Sequence, residues 1–104
     1  MATPKSSATV VSTVDLAPDM PGYQLRLRHV VFEPGSMAGL HSHQKRPAFS
    51  YILEGTLTVG TEGGDVQEYK PGEVVTESRD VIHWGENRGT SQVVIVSVDL
   101  IKKP

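Results

Sequence analysis

Apolar and polar residues alternate along short stretches of this chain, and every stretch ends at a glycine or a proline. Tyr23–Arg28 alternates before the turn signal Pro34-Gly35, and Thr56–Val59 alternates before the turn residues 60–65. A second Pro-Gly pair follows at Pro71-Gly72. Gln92–Leu100 is the last such stretch. No helical periodicity lasts beyond about one turn. Short strands separated by turns every eight to twelve residues or so predict an all-β fold, an antiparallel sandwich or barrel.

The length of 104 residues predicts one domain. The first thirteen residues are polar and rich in Ser, Thr and Pro, so we expect residues 1–13 to be a flexible segment and residues 14–104 to form the domain. A domain of this size buries a modest core, and a homodimer would add buried area. We therefore expect a homodimer.

Charge and cysteine content exclude several classes of function. Ten basic and twelve acidic residues give a formal net charge of −2, and Lys and Arg do not cluster on one segment. This argues against nucleic acid or an acidic membrane surface as partner. The absence of cysteine excludes disulfides, thiolate metal sites and a cysteine nucleophile. The longest apolar run, Val93–Val96, is too short to cross a membrane. The N-terminus lacks the apolar core of a signal peptide, which favours a cytoplasmic location; removal of a signal from a longer precursor would make it periplasmic.

Three of the four histidines stand where a β-protein can collect metal ligands. His41 and His43 are two residues apart, and on a strand such residues point to the same face. His83 lies several turns later and can supply a third nitrogen. The sequence predicts that His41, His43 and His83 bind one divalent transition metal; imidazole ligands suit Fe, Zn, Ni, Cu and Mn. A His-x-His pair can also occur by chance on a surface strand.

The spacing of these histidines resembles the two motifs of the cupin superfamily. The first motif reads G-x5-H-x-H-x(3,4)-E-x6-G, and Gly35, His41, His43 and Gly55 fall in register with it. The second motif reads G-x5-P-x-G-x2-H-x3-N. Its matching residues are Gly72, His83 and Asn87. The resemblance implies a cupin jelly roll, the double-stranded β-helix form of an antiparallel barrel, with the metal inside. It implies no particular reaction, because cupins serve many functions.

Three positions depart from the motifs. Ala48 stands where the family has a metal-binding glutamate, and Ser78 and Asp80 replace the proline and glycine of the second motif. A three-histidine set without the glutamate resembles the thiol and β-diketone dioxygenases among cupins, which use non-haem iron. Iron is therefore the metal that the resemblance favours. The alternative is a degenerate cupin that has lost the carboxylate and binds metal weakly.

Four further residues are candidates for the pocket. Ser50 follows Ala48 by two residues and should point the same way, with Ile52 next on that face as apolar wall. His29 shares a face with Leu25 and Leu27 and is more readily a core or rim residue; it approaches the metal only if that face lines the barrel. Glu77, a carboxylate within the second motif, is a weak candidate for a general base or outer ligand.

Three functions are compatible with these residues. The leading hypothesis is a three-histidine metal dioxygenase or related oxidoreductase that acts on a small organic molecule. The second is a non-catalytic cupin that binds or senses a metal or small ligand, which the scarcity of proton-transfer residues favours. The third, less favoured, is a hydrolytic, isomerising or lyase site in which metal-activated water does the chemistry.

Overall fold

A computed structural model describes residues 3–104 as two antiparallel β-sheets. None of these residues forms a helix long and apolar enough to cross a membrane. The strands, in chain order, are β1 Ser6–Asp15, β2 Tyr23–Phe32, β3 Met37–Ser42, β4 Ala48–Glu54, β5 Leu57–Thr61, β6 Val66–Tyr69, β7 Val74–Glu77, β8 Ile82–Glu86 and β9 Val93–Lys102.

The strand order is that of a jelly roll. One sheet has the order β1-β2-β9-β4-β7 and the other the order β3-β8-β5-β6. Each sheet thus joins strands that are far apart in the chain, such as β2 with β9, and every pairing is antiparallel. The all-β jelly-roll prediction is confirmed.

The core lies between the two sheets and fills only part of the space there. Its buried residues alternate with outward ones, as in β4, where Ala48, Ser50 and Ile52 are buried and Phe49 and Tyr51 are exposed. The buried apolar cluster draws on both sheets and consists of Phe32, Ile52, Leu57, Val59, Val75, Val93 and Ile95. Each of these side chains contributes about 1.5–3 kcal/mol by leaving water. The polar half of the interior lies beside this cluster and contains the histidines.

The N-terminal segment differs from the expectation of a flexible stretch 1–13. Residues 1 and 2 lie outside the described part of the chain, while Ser6–Thr13 belongs to β1, which pairs with β2 from Ser6↔Phe32 to Asp15↔Gln24. Every side chain of β1 is exposed. A strand at a sheet edge with no buried face does not need alternating apolar and polar residues. The alternation that predicts the other strands is therefore missing from β1. Backbone pairing with β2 defines this strand.

Position 55, the last glycine of the first motif, requires a glycine for two reasons: its backbone conformation and the lack of space for a side chain. Its φ of +76° lies in the left-handed region that favours glycine. A Cβ at this position would stand 2.6 Å from the Gln92 carbonyl oxygen. The glycine therefore allows the chain to pass closely against the start of β9.

Candidate metal centre

The pairing of β3 with β8 in the four-stranded sheet brings three histidines together. His41 on β3 stands opposite His83 on β8 in the register. His43 follows β3, and its backbone N–H donates to the Val81 carbonyl at 2.9 Å, which extends the pairing by one step. The three rings stand edge to face with centroids 4.9, 4.7 and 4.8 Å apart. The structure thus brings together the three histidines that the sequence predicted as ligands.

Backbone carbonyls orient two of these rings. Nδ1 of His41 lies 2.7 Å from the Gly39 carbonyl oxygen, and Nδ1 of His43 lies 2.9 Å from that of Arg46. A carbonyl can only accept, so each Nδ1 carries the proton and donates it. In the neutral ring, Nε2 is then left with a free lone pair, which is the state a metal ligand requires.

Glu77 adds a carboxylate to the cluster. Its Oε2 lies 2.6 Å from Nε2 of His43 and 3.6 Å from Nε2 of His83. In sequence alone Glu77 is a weak candidate, since a carboxylate at such a position is more often a surface residue. The signal that could have found it is strand pairing, since Glu77 on β7 is the register partner of Ala48 on β4.

The second oxygen of Glu77 is held by a serine. Ser50 donates from Oγ to Oε1 of Glu77 at 2.5 Å, and both residues are buried. Burial raises the pKa of Glu77, but the hydrogen-bonding contacts of His83 and Ser50 and the nearness of His43 outweigh it, so the pKa lies below its ordinary value. Glu77 is therefore ionised at neutral pH and directs its other oxygen to the histidines.

These donors fit a divalent transition metal. Nε2 of His43 and Nε2 of His83 are 3.0 Å apart, and one ligand atom from each of the four residues lies within 4.8 Å of all the others. Two nitrogens bound at right angles to one ion, each at about 2.1 Å, would be about 3.0 Å apart. Burial lowers the pKa of His43, which disfavours a second proton on its ring. A cation among these nitrogens and the carboxylate would be attracted to each of them.

The cluster forms part of the wall of a cavity of about 340 Å³ between the sheets. The cavity reaches the surface beside Ser6 and Ser7, which are exposed. Its wall combines the polar groups of the cluster with apolar side chains such as Val30 and Val59. A cavity of this size accommodates a small organic molecule.

Two of the four pocket candidates line this cavity and two do not. Ser50 and Glu77 are on its wall. His29 is exposed on the outer face of β2, because the inward positions of this strand are the even-numbered ones, and Arg28 lines the cavity in its place. Ile52 is fully buried in the apolar core and not at the cavity. These placements correct the expectations for His29 and Ile52.

A pair of facing antiparallel sheets with a histidine–carboxylate cluster between them defines a jelly-roll barrel with a candidate metal centre. Residues 28–99 match the family model described as the cupin domain. The chain therefore belongs to the cupin family.

Similarity to individual proteins is more distant. Over 95 residues the chain is 28% identical to germin-like protein subfamily 2 member 2 of Arabidopsis thaliana, a match that covers 88% of this chain and 43% of that protein. It spans less than half of that relative. Ectoine synthase from P. lautus has a similar structure, with a TM-score of 0.69 and 20% identity over 95% of this chain and 66% of that one. A cupin domain from Bordetella pertussis has a TM-score of 0.70 and 22% identity over 96% and 97% of the two chains.

Proposed function

We propose that this protein is a metal-dependent cupin oxidoreductase, of the dioxygenase kind, that acts on a small organic molecule in its central cavity. One observation carries the proposal: His41, His43, His83 and Glu77 place four donor atoms within 4.8 Å of one another on the cavity wall. A divalent transition metal there would supply a Lewis-acidic or redox-active centre, and iron is the metal we propose.

The protein's own residues have three tasks in this proposal. The carbonyls of Gly39 and Arg46 fix the histidine tautomers, so that lone pairs face the centre. Ser50 holds the carboxylate of Glu77 in place. The apolar part of the wall excludes water from one side of the bound molecule.

The absence of a spare acid–base group supports chemistry that depends on the metal. Among the described residues that line the cavity, Glu77 is the one carboxylate, and it is already engaged by Ser50 and the histidines. The sequence resemblance to three-histidine dioxygenases rested on a missing carboxylate, and the position of Glu77 removes that basis. With no independent proton-transfer side chain among the described residues of the cavity wall, a metal held by the cluster would have to supply the reactive centre.

The same observation favours a second candidate, a cupin that binds a metal and a small ligand without turnover. Such a protein needs no proton-transfer group. Dioxygen consumption distinguishes the two candidates, since only an oxygenase consumes O2 with a substrate. Ligand-induced thermal stabilisation is expected for both.

The test combines metal analysis with an oxygen-electrode assay. Protein purified without added metal or an affinity tag is analysed for elements, as wild type, His41→Ala and His29→Ala. We expect about one transition-metal ion per chain in the wild type and in His29→Ala, whose histidine is on the outer face, and loss of metal in His41→Ala. The iron-loaded protein is then assayed with diketones, thiols and flavonols. Full metal retention in His41→Ala would refute the metal centre. Retention of metal without oxygen uptake would favour the binding candidate.

A further inference from the structure

Three arginines converge on a single aspartate inside the barrel. Asp99 accepts hydrogen bonds from Nε and Nη2 of Arg26 at 3.0 and 2.8 Å and from Nη1 of Arg46 at 2.9 Å. Arg28 approaches the same carboxylate, with Nη2 3.5 Å from Oδ2. The side chain of Asp99 is fully buried. Three positive charges thus face the one negative charge of Asp99, and Glu77 is the further negative charge that acts on Arg28.

Arg28 is the least satisfied of the three arginines. Its Nε is buried and has no hydrogen-bond partner. Its contact with Asp99 is longer than a hydrogen bond, because Arg26 and Arg46 already occupy that carboxylate. An unpaired buried N–H is costly, and so are neighbouring like charges. The guanidinium of Arg28 thus lies at the cavity wall with a positive charge that the Asp99 carboxylate compensates only in part.

The register places this arginine on the same interior face as the metal centre. Arg28 on β2 is the partner of Ser97 on β9, and Ser97 is the partner of Ser50 on β4. Ser50 lies 3.3 Å from Ser97, Oγ to Oγ, and also donates to Glu77. Arg28, Arg46 and the histidine cluster all line the one cavity. A small molecule in this cavity can therefore contact both an arginine and the histidine cluster.

We propose that the cavity binds a small organic acid, whose carboxylate is held by Arg28 with support from Arg46, while a second polar group of the acid faces the histidine cluster. The proposal rests on the proposed function for the role of that cluster. A guanidinium is a permanently charged N–H donor, which suits a carboxylate as ligand. The apolar side chains of the cavity wall suit a short aliphatic body. The groups that set the charge around Arg28 are Arg26, Arg46, Glu77 and Asp99, whose net charge is zero, so that Arg28 itself is uncompensated.

Calorimetric titration tests this proposal. The metal-loaded wild type, Arg28→Gln and Arg88→Gln are titrated with acetate, succinate, glutarate and 2-oxoglutarate, and then with succinamide and inorganic phosphate. Arg88 is an exposed arginine that pairs with Glu86, so Arg88→Gln is a control with the same change in charge. We expect at least one of the organic acids to bind to the wild type and to Arg88→Gln. In Arg28→Gln its affinity should fall about tenfold or more. Succinamide, which has no charge, should not bind.

Metal content and melting temperature of the variants distinguish failure of the acid site from failure of the proposed function. Arg28→Gln should retain its metal and should melt no lower than the wild type, because the substitution removes a repelled, unpaired charge; a purely structural arginine would lower the melting temperature. Organic acid binding that depends on Arg28, in a wild type that takes up no metal, would refute the metal centre and keep the acid site. Equal affinity in Arg28→Gln, tighter binding of phosphate than of any acid, or no binding of any acid would overturn the acid site and leave the metal centre standing.

Discussion

Glu77 on β7 stands directly opposite Ala48 on β4. Both residues are buried on the inner face of the five-stranded sheet, and side chains of directly opposed residues lie side by side. Ala48 occupies the position that the first cupin motif assigns to glutamate. The carboxylate therefore reaches the histidines from the neighbouring strand, and the small side chain of Ala48 leaves room for it.

This relationship predicts that the carboxylate can be moved from one strand to the other. Glu77→Ala should lower metal affinity by about tenfold or more, since it removes the anionic donor of the set. Adding Ala48→Glu to this variant should recover much of the affinity, because the new side chain starts beside the old one. Metal competition titrations measure both variants.

The single variant Ala48→Glu is the matched control for the exchange. Two buried carboxylates side by side repel each other, so this variant should be less stable than the double variant when metal is absent. If Ala48→Glu failed to rescue metal binding in a double variant that folds, the carboxylate would be unable to act from β4, and the equivalence of the two positions would be wrong.

Ser50 is predicted to support metal binding through Glu77. Ser50→Ala removes the hydrogen bond at 2.5 Å to the carboxylate, and loss of such a partner typically lowers metal affinity by about ten- to a hundredfold. Ser97→Ala serves as the comparison, since Ser97 is buried and contacts Ser50 at 3.3 Å. It should change metal affinity little. Equal losses in the two serine variants would show that general packing, and not the contact with Glu77, controls affinity.

Asp99 is predicted to contribute stability that depends on pH. Burial raises the pKa of Asp99, but hydrogen bonds from Arg26 and Arg46 and the charge of Arg28 outweigh it and hold the pKa below the ordinary value of 3.8. A depressed pKa in the folded state stabilises the protein fully above the unfolded value. This contribution declines as the pH falls through the lower, folded value.

Asp99→Asn should therefore lower the free energy of unfolding by about 3 kcal/mol at pH 7, because three arginines lose their carboxylate. The difference from the wild type should shrink as the pH falls below about 4. Urea denaturation of both proteins at neutral and acidic pH measures it. A difference that stays constant across this range would mean that the charge of Asp99 is not the source of the stabilisation.

The sequence was sufficient for the parts of the fold and site that depend on local pattern. Alternation and Pro-Gly turns predicted the antiparallel barrel, and the spacing of His41, His43 and His83 predicted residues that the structure brings together. Asn87, which matches the second motif, donates from its side-chain amide to the Phe32 and Ser91 carbonyls and accepts from the Gly89 N–H. The strands and turns follow from local alternation, and the histidines could be found because their spacing matches the two motifs.

Features that depend on pairing between distant strands could not be predicted from the sequence. Glu77 joins the cluster because β7 pairs with β4, and Arg28 replaces His29 at the cavity because the pairing of β2 turns the even-numbered residues inward. A shift of one residue in register would exchange the two faces of that strand. The edge strand β1 has no buried face to reveal it. The homodimer and the cytoplasmic location stay predictions.

The last prediction separates two costs of replacing a glycine. Gly55 and Gly63 both have positive φ, +76° and +103°, so alanine strains the backbone at either position. They differ in their surroundings: a Cβ at Gly55 would meet the Gln92 carbonyl oxygen at 2.6 Å, whereas one at Gly63 has nothing within 4 Å. Gly63→Ala should therefore lower the free energy of unfolding by about 1 kcal/mol, the cost of the strained backbone alone. Gly55→Ala should lower it by about 3 kcal/mol, because the close contact adds an overpacking cost at the start of β9. Urea denaturation of the two variants decides the matter, and equal losses would mean that the chain at Gln92 moves aside freely.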